Sequence, residues 1–222
     1  MSMDFTVGSA LNFGWETFKQ RPWFFIGASV VIVIAYLVVG GVSTVIDAAL
    51  GGSSEEPTLI GSSVNFGLST LVGMGAIAFY LAAHDNPDTV ELSALWHPQP
   101  FLRFLGASIL TGLAVGIGFV LLVVPGIIAL VFFMFTTLIV IDRGLGPIEA
   151  MQESMWIGRG FRWPLLGLIV LLALILIVGA LALLVGLLVA MPVATLAFVH
   201  AYRVLSATAG LAPAAADARL GS

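Results

Sequence analysis

The sequence predicts an all-α integral membrane protein: six transmembrane helices form three hairpins, each preceded by a short cytoplasmic interfacial amphipathic helix. Three observations carry this prediction. The first is composition: 60% of the 222 residues are hydrophobic, only 9% are charged, and mean hydropathy is +1.13. A soluble domain is nearer half apolar and a quarter charged, so too few polar residues exist here to surface a water-soluble fold. The second is spacing, because the apolar runs fall in pairs. At about 20 residues per crossing, the length accommodates roughly six spans and no separate soluble domain. The third is the segregation of basic residues, taken up after the elements themselves.

In the first amphipathic segment Val7, Leu11, Gly14 and Phe18 share one helical face, and Asn12, Glu16 and Lys19 another. Span 1 covers about Trp23–Ala48 and span 2 about Gly61–Ala83. In the next connection Asp88 and Glu91 have capping-box spacing, with Leu92, Leu95 and Trp96 as the apolar face. Span 3 covers about Phe101–Val124 and span 4 about Gly126–Ile141. Pro147 then suits a first helical position, with Ile148, Met151 and Met155 opposite Glu149, Gln152 and Glu153. Span 5 begins near Trp163 and span 6 ends near Leu205. Gly186 and Pro192 are both candidates for the turn between them, since glycine and proline are the strongest local breakers.

The whole chain reads as a single membrane domain with units at about 5–83, 88–142 and 147–208, and a flexible cytoplasmic tail at 209–222. FIGASVV at 25–31 matches FLGASIL at 104–110, and Trp23 with Gly27 matches Trp163 with Gly167. These identities fit duplication of one unit, and they also fit chance among common residues.

All eight basic residues fall on one side of a six-span chain: Lys19, Arg21, Arg103, Arg143, Arg159, Arg162, Arg203 and Arg219. The opposite connections, DAALGGSSEEPTLIG, VVPG and the last turn, carry none. The positive-inside rule therefore places both termini in the cytoplasm. The N-terminal stretch lacks a basic start, a short apolar run and a small-residue cleavage site, so it is expected to be mature sequence.

The candidate functional residues follow from this layout. Lys19, Arg21, Arg103, Arg159, Arg162 and Arg203, with Trp23 and Trp163, are expected to contact lipid headgroups at the interface, where a basic residue near an anionic leaflet contributes about 1 kcal/mol. Asn65, Ser69 and Gly73 form a polar row in span 2, read either as helix packing or as a seam lining a lipid or solute path. Ser108, Gly112 and Gly116 form a small-residue row in span 3, expected to mediate helix packing, within the chain or between copies. His200 and Arg203 lie one turn apart near the end of span 6. They sit at the interface if that span starts near Leu187, and need partners if it starts at Pro192. Asp47 is expected to face water at the outer end of span 1.

Catalytic chemistry is not expected. The chain has no cysteine and only three histidines. It contains no HExxH pair, G-x-S-x-G elbow, Walker A loop or dinucleotide fingerprint, so neither a metal nor a cofactor is anticipated. A net charge of −4 gives no reason to expect nucleic acid. The expected partners are membrane lipid and either a second copy or another membrane protein.

PGIIALVFFMFTTLIVIDRGLGPIEAMQESMWIGRG, residues 125–160, carries a Pro-Gly opening a span, an aromatic-rich run, an aspartate at its end, then Glu-Ala, Ser and Trp, and a glycine-containing stop. This order resembles the membrane domain fused to some bacterial glycerophosphoryl diester phosphodiesterases, and its uncharacterised stand-alone relatives. The phosphodiesterase activity of the fused proteins belongs to a separate soluble barrel, so no catalytic residue carries over. The resemblance implies a bacterial inner (plasma) membrane and a lipid-related or auxiliary role. The expected function is a non-enzymatic scaffold or auxiliary protein; the alternative is a transporter or channel for a small or amphipathic solute.

Overall fold

The computed structural model describes residues 5–53, 55–96, 101–182 and 185–210. These form α1 (Val7–Gln20), α2 (Pro22–Ala49), α3 (Leu59–Asp85), α4 (Phe101–Leu121), α5 (Val123–Phe133), α6 (Thr136–Arg143), α7 (Pro147–Ile157), α8 (Arg162–Leu181) and α9 (Val185–Thr208). A short 3-10 turn spans Leu92–Trp96, and no strand occurs among the described residues. Six segments are long and apolar enough to cross a membrane: α2, α3, α4, the α5–α6 run, α8 and α9. The molecule is an all-α, multi-pass membrane protein by length and composition of its helices. Arg219 and nearly all of the 209–222 tail lie outside the described residues.

Local sequence sets the helix ends. Thr6 caps α1 by accepting from the Ser9 amide, while the Ser9 hydroxyl returns to Thr6. Thr58 caps α3 through Gly61 N–H at 3.0 Å. Gly144 closes α6 at φ 65°, a left-handed position where glycine carries no Cβ penalty. Pro147 opens α7, and the Glu149 carboxylate accepts from the Gly146 amide. Between α5 and α6 the helical ladder breaks, and backbone groups left unpaired there would be costly in apolar surroundings. Ser154 of α7 fills the gap: its hydroxyl donates to the Phe132 carbonyl at 2.8 Å and accepts from the Phe135 amide at 3.2 Å.

The spanning helices sort into an inner and an outer set. In the second helix of each pair (α3, α5–α6, α9) 44, 39 and 50% of the most apolar stretch is buried, against 22, 17 and 17% for α2, α4 and α8. Equivalent positions of the three first helices point inward: Phe25 and Ala28, Phe104 and Ala107, Leu165 and Leu168 are all buried. That register follows the sequence matches noted above.

Lipid is as apolar as leucine, so close packing and polar contacts decide which helices meet. α1 settles on α9 through Gly14, where a Cβ would lie 2.5 Å from the Val193 carbonyl. Gly118 meets Gly126 across the α4–α5 turn, and Gly179 meets Gly186 across the α8–α9 turn.

Several expectations are corrected here. The apolar face of α1 covers α9 rather than acyl chains, because a glycine at its centre permits backbone contact. The second amphipathic segment is only a five-residue 3-10 turn, with Leu95 packed on the core and Trp96 exposed. In α7 the buried face is Ala150, Ser154 and Ile157, while Ile148 is exposed. Small and hydroxyl side chains are what the broken ladder beside it accommodates. Gly112 and Gly116 have nothing within 4 Å of a would-be Cβ. Ser108 and Gly112 border an open groove facing Leu130, Phe133 and Met134, so this row leaves space beside α5 rather than a tight contact. The last turn falls between Leu181 and Val185, next to Gly186, and Pro192 lies inside α9. Asp47 is buried at 7% exposure instead of facing water.

Candidate functional site

At the end of the bundle that carries the basic residues, the inner helix of each pair delivers one charged side chain to a common point. α3 ends on Asp85, α6 carries Asp142 just before its last residue, and α9 carries Arg203. The Arg203 guanidinium binds Asp85 with two donors, Nη2 to Oδ2 at 2.6 Å and Nε to Oδ1 at 3.1 Å. Its Nη1 donates to Asp142 Oδ1 at 2.8 Å. The neighbouring Tyr202 hydroxyl donates to the other Asp142 oxygen, also at 2.8 Å. Arginine suits this place because its planar fork can serve two carboxylates at once and stays charged when buried. The side chains of Arg203 and Asp142 are 11% and 10% exposed, and that of Asp85 is 35% exposed.

A histidine pair extends the network. His84 Nδ1 lies 3.1 Å from Asp85 Oδ1, and His84 Nε2 lies 3.2 Å from His200 Nδ1. Neutral rings satisfy both contacts if each Nδ1 carries the proton, so that His200 donates to His84 and His84 to Asp85. Phe13 of α1 stacks on His200 at 4.1 Å between ring centroids and sits 4.6 Å from His84. α1 thus covers the cluster from one side. Phe135, at the α5–α6 break, packs against both Phe198 and Tyr202.

Chemically the cluster is closed. Every carboxylate oxygen of Asp85 and Asp142 accepts a hydrogen bond, and Arg203 is held by both carboxylates. No group of three or more histidine or acidic residues among the described residues is arranged to hold a metal ion. What the geometry does is join three inner helices far apart in sequence.

The expected headgroup contacts divide. Arg21 turns inward and donates to the carbonyls of Pro87, Asp88 and Val90, ordering the connection after α3. Arg103 donates to the Gly144 carbonyl. Arg203 belongs to the cluster rather than to lipid, because two carboxylates lie within its reach. Lys19 pairs with Glu16 at 2.8 Å on the exposed face of α1. Arg143 pairs with Glu153. Arg159 and Arg162 are exposed and lack a carboxylate partner among the described residues, while Trp23 and Trp163 stand out from the surface.

The polar row of span 2 also divides. Ser69 donates to Asn65 at 3.2 Å along α3. Gly73 alone borders a pocket of about 300 Å³ between α2, α3 and α9, near the hydroxyls of Tyr36, Tyr80 and Thr195. Sequence reasoning reached His200 and Arg203, with a need for partners if they lie deep, but did not pick Asp85, Asp142 or Tyr202 as a site. The available signal was positional: spans 2 and 4 both end on an aspartate, and span 6 places an arginine at the corresponding end.

No protein-family model matches the chain, and no solved structure matches it with significance. It is similar to uncharacterised proteins of Mycobacterium tuberculosis (Rv2560, and MT2637 of a second strain) and of Mycobacterium bovis (Mb2590). Each is 28% identical over 232 residues, covering 92% of this chain and 70% of the relative. The similarity runs over nearly the whole chain rather than one motif. None of these relatives links it to the glycerophosphoryl diester phosphodiesterase membrane domain, a resemblance that rests on residues 125–160.

Proposed function

We propose that the protein is a non-enzymatic scaffold or auxiliary component of a bacterial inner membrane, with both termini cytoplasmic, that holds a partner protein or a second copy against its outer helices. The observation that carries this reading is the closed cluster of Asp85, Asp142, Tyr202 and Arg203. Ionisable groups inside a transporter face a pathway and change partners; these are engaged by one another, above a centre filled by Phe79, Phe135, Ile139, Leu168 and Leu196. The open Gly112–Gly116 row on α4 supplies a face suited to close approach by another helix. Extraction in mild detergent followed by native mass spectrometry tests the proposal. A homo-oligomer or a co-purifying membrane protein is expected, and a reproducible monomer with no protein partner overturns it. Orientation is read separately by introducing single cysteines at Glu55 and Arg159 of this cysteine-free chain. Only the second is expected to be shielded from an impermeant reagent in intact cells.

The transporter reading is favoured by one observation, the hydroxyl-lined pocket beside Gly73. Solute-dependent protection of a cysteine placed at Gly73 would move the assignment to that reading.

A further inference from the structure

We propose that the groove between α5 and α8 binds one anionic glycerophospholipid, with its phosphate at Arg162 and an acyl chain along α5. The proposal rests on the membrane-scaffold reading for the presence of a bilayer and goes beyond it in naming a lipid class and a site. The groove encloses about 450 Å³. Its walls are apolar, with Val124, Ile128 and Val131 on α5 and Leu166 on α8. From Val124 to Phe132 it follows α5 for about 12 Å at the helical rise per residue, a length suited to an extended alkyl chain.

Charge is confined to its mouth. The Arg162 guanidinium lies 4.3 Å from the centre of the Phe132 ring and touches no carboxylate among the described residues. The ring orients the cation over the groove without neutralising it. Arg159, on the turn just before, is exposed and likewise without a carboxylate partner among the described residues. The start of α8 has no side-chain cap. Its first amides therefore add a partial positive charge beside Arg162. Trp163 lines the same mouth and is 82% exposed, as a headgroup-level indole is. Arg143 and Arg203 pair with carboxylates, and Arg21 and Arg103 donate to backbone carbonyls; Arg162 and Arg159 have neither contact among the described residues, so positive charge is left at this mouth for an outside anion. A zwitterionic lipid would bring its own cation to the same spot, so net negative charge is selected.

The test is native mass spectrometry of the full chain released from vesicles of equal phosphatidylglycerol and phosphatidylcholine. Wild type is expected to retain phosphatidylglycerol preferentially. Arg162→Gln is expected to lower that preference about fivefold, the equivalent of one basic contact near an anionic surface. Arg162→Lys keeps most of it. Ile128→Trp, which fills the groove from an exposed position, lowers retention of both lipids. An Arg162→Gln protein with unaltered lipid preference overturns the proposal, as does retention unaffected by Ile128→Trp. If Ile128→Trp instead dissociates an oligomer without changing bound lipid, the groove is a protein contact and the assignment fails. The same spectra report copy number. A monomer that keeps phosphatidylglycerol upholds the site while removing the scaffold, and an oligomer without lipid preference does the reverse.

Discussion

At the basic end of the bundle, Arg203 reaches residues 118 and 61 positions away in the chain, so one guanidinium joins all three hairpins. At the opposite end, three contacts among the described residues link consecutive spanning helices. Asp47 accepts from the Thr58 amide at 2.7 Å and from its hydroxyl at 2.6 Å, tying α2 to α3. Gly118 meets Gly126, and Gly179 meets Gly186, each across its own turn. One end assembles units and the other closes them. Spanning helices form individually before they associate, and the hairpins fit that order: each has a local clasp, and the charged junction can form only when all three are present.

The strongest way to break the comparison is to remove its centre. Arg203→Ala leaves two carboxylates facing each other with no cation, and breaking a buried ion pair by deleting one partner costs about 3–5 kcal/mol. Unfolding in a denaturing detergent titration should show that loss, with faster hydrogen exchange at the basic ends of α3, α6 and α9 together. Asp142→Asn should cost more than Asp85→Asn, because the Asp142 side chain is 10% exposed and that of Asp85 is 35%. If the two aspartate variants are equal, or if exchange rises in one hairpin only, the cluster is not the junction between units.

The opposite end should respond locally. At Gly118 a Cβ would fall 2.8 Å from the Gly126 Cα, and at Gly186 it would fall 2.5 Å from the Gly179 carbonyl. Neither backbone can yield easily, so Gly118→Ala and Gly186→Ala should each cost about 1–3 kcal/mol, the usual range for overpacking. Exchange should quicken around the affected turn and leave the other two hairpins unchanged.

Asp47→Ala should be milder, at about 1–2 kcal/mol, since it removes hydrogen bonds to a helix cap while Thr58 still caps α3. Gly61 keeps Asp47 in place, because a Cβ there would overlap its carboxylate. Gly61→Ala is therefore expected to reproduce the Asp47→Ala exchange pattern. A Gly61→Ala protein with wild-type exchange at 50–63 would show that Asp47 does not depend on that space.

What the sequence disclosed follows the same division. The six spans were legible because each depends on local composition and length. The inward register was not read from the sequence, although FIGAS and FLGAS bury the same two positions, Phe25 and Ala28 in one, Phe104 and Ala107 in the other. Nor was the junction. Asp85 and Asp142 each look like ordinary ends of a span, and only packing shows that Arg203 lies between them. The face of α7 and the contact made by α1 were misassigned for a related reason. An amphipathic segment beside a membrane resembles an interfacial helix, yet Gly14 and Ser154, the residues that dock these two helices on α9 and on the α5–α6 break, contribute little to hydrophobic patterning.

The smallest effect sharpens the comparison most, because it uses one residue type on one helix. Gly118 and Gly116 are two positions apart on α4 and face opposite ways. A Cβ at Gly118 meets backbone, and one at Gly116 or Gly112 meets nothing within 4 Å. Alanine is favoured over glycine in a helix by about 0.5–1 kcal/mol where no clash opposes it. Gly112→Ala and Gly116→Ala should thus stabilise the isolated chain slightly, while Gly118→Ala destabilises it. Opposite signs in detergent unfolding would fix which face of α4 belongs to the fold. The same two variants then report on assembly: if the open row receives a helix from another chain, they weaken the oligomer while strengthening the monomer. A loss of monomer stability at Gly112 or Gly116 would instead mean that this face is already occupied from within.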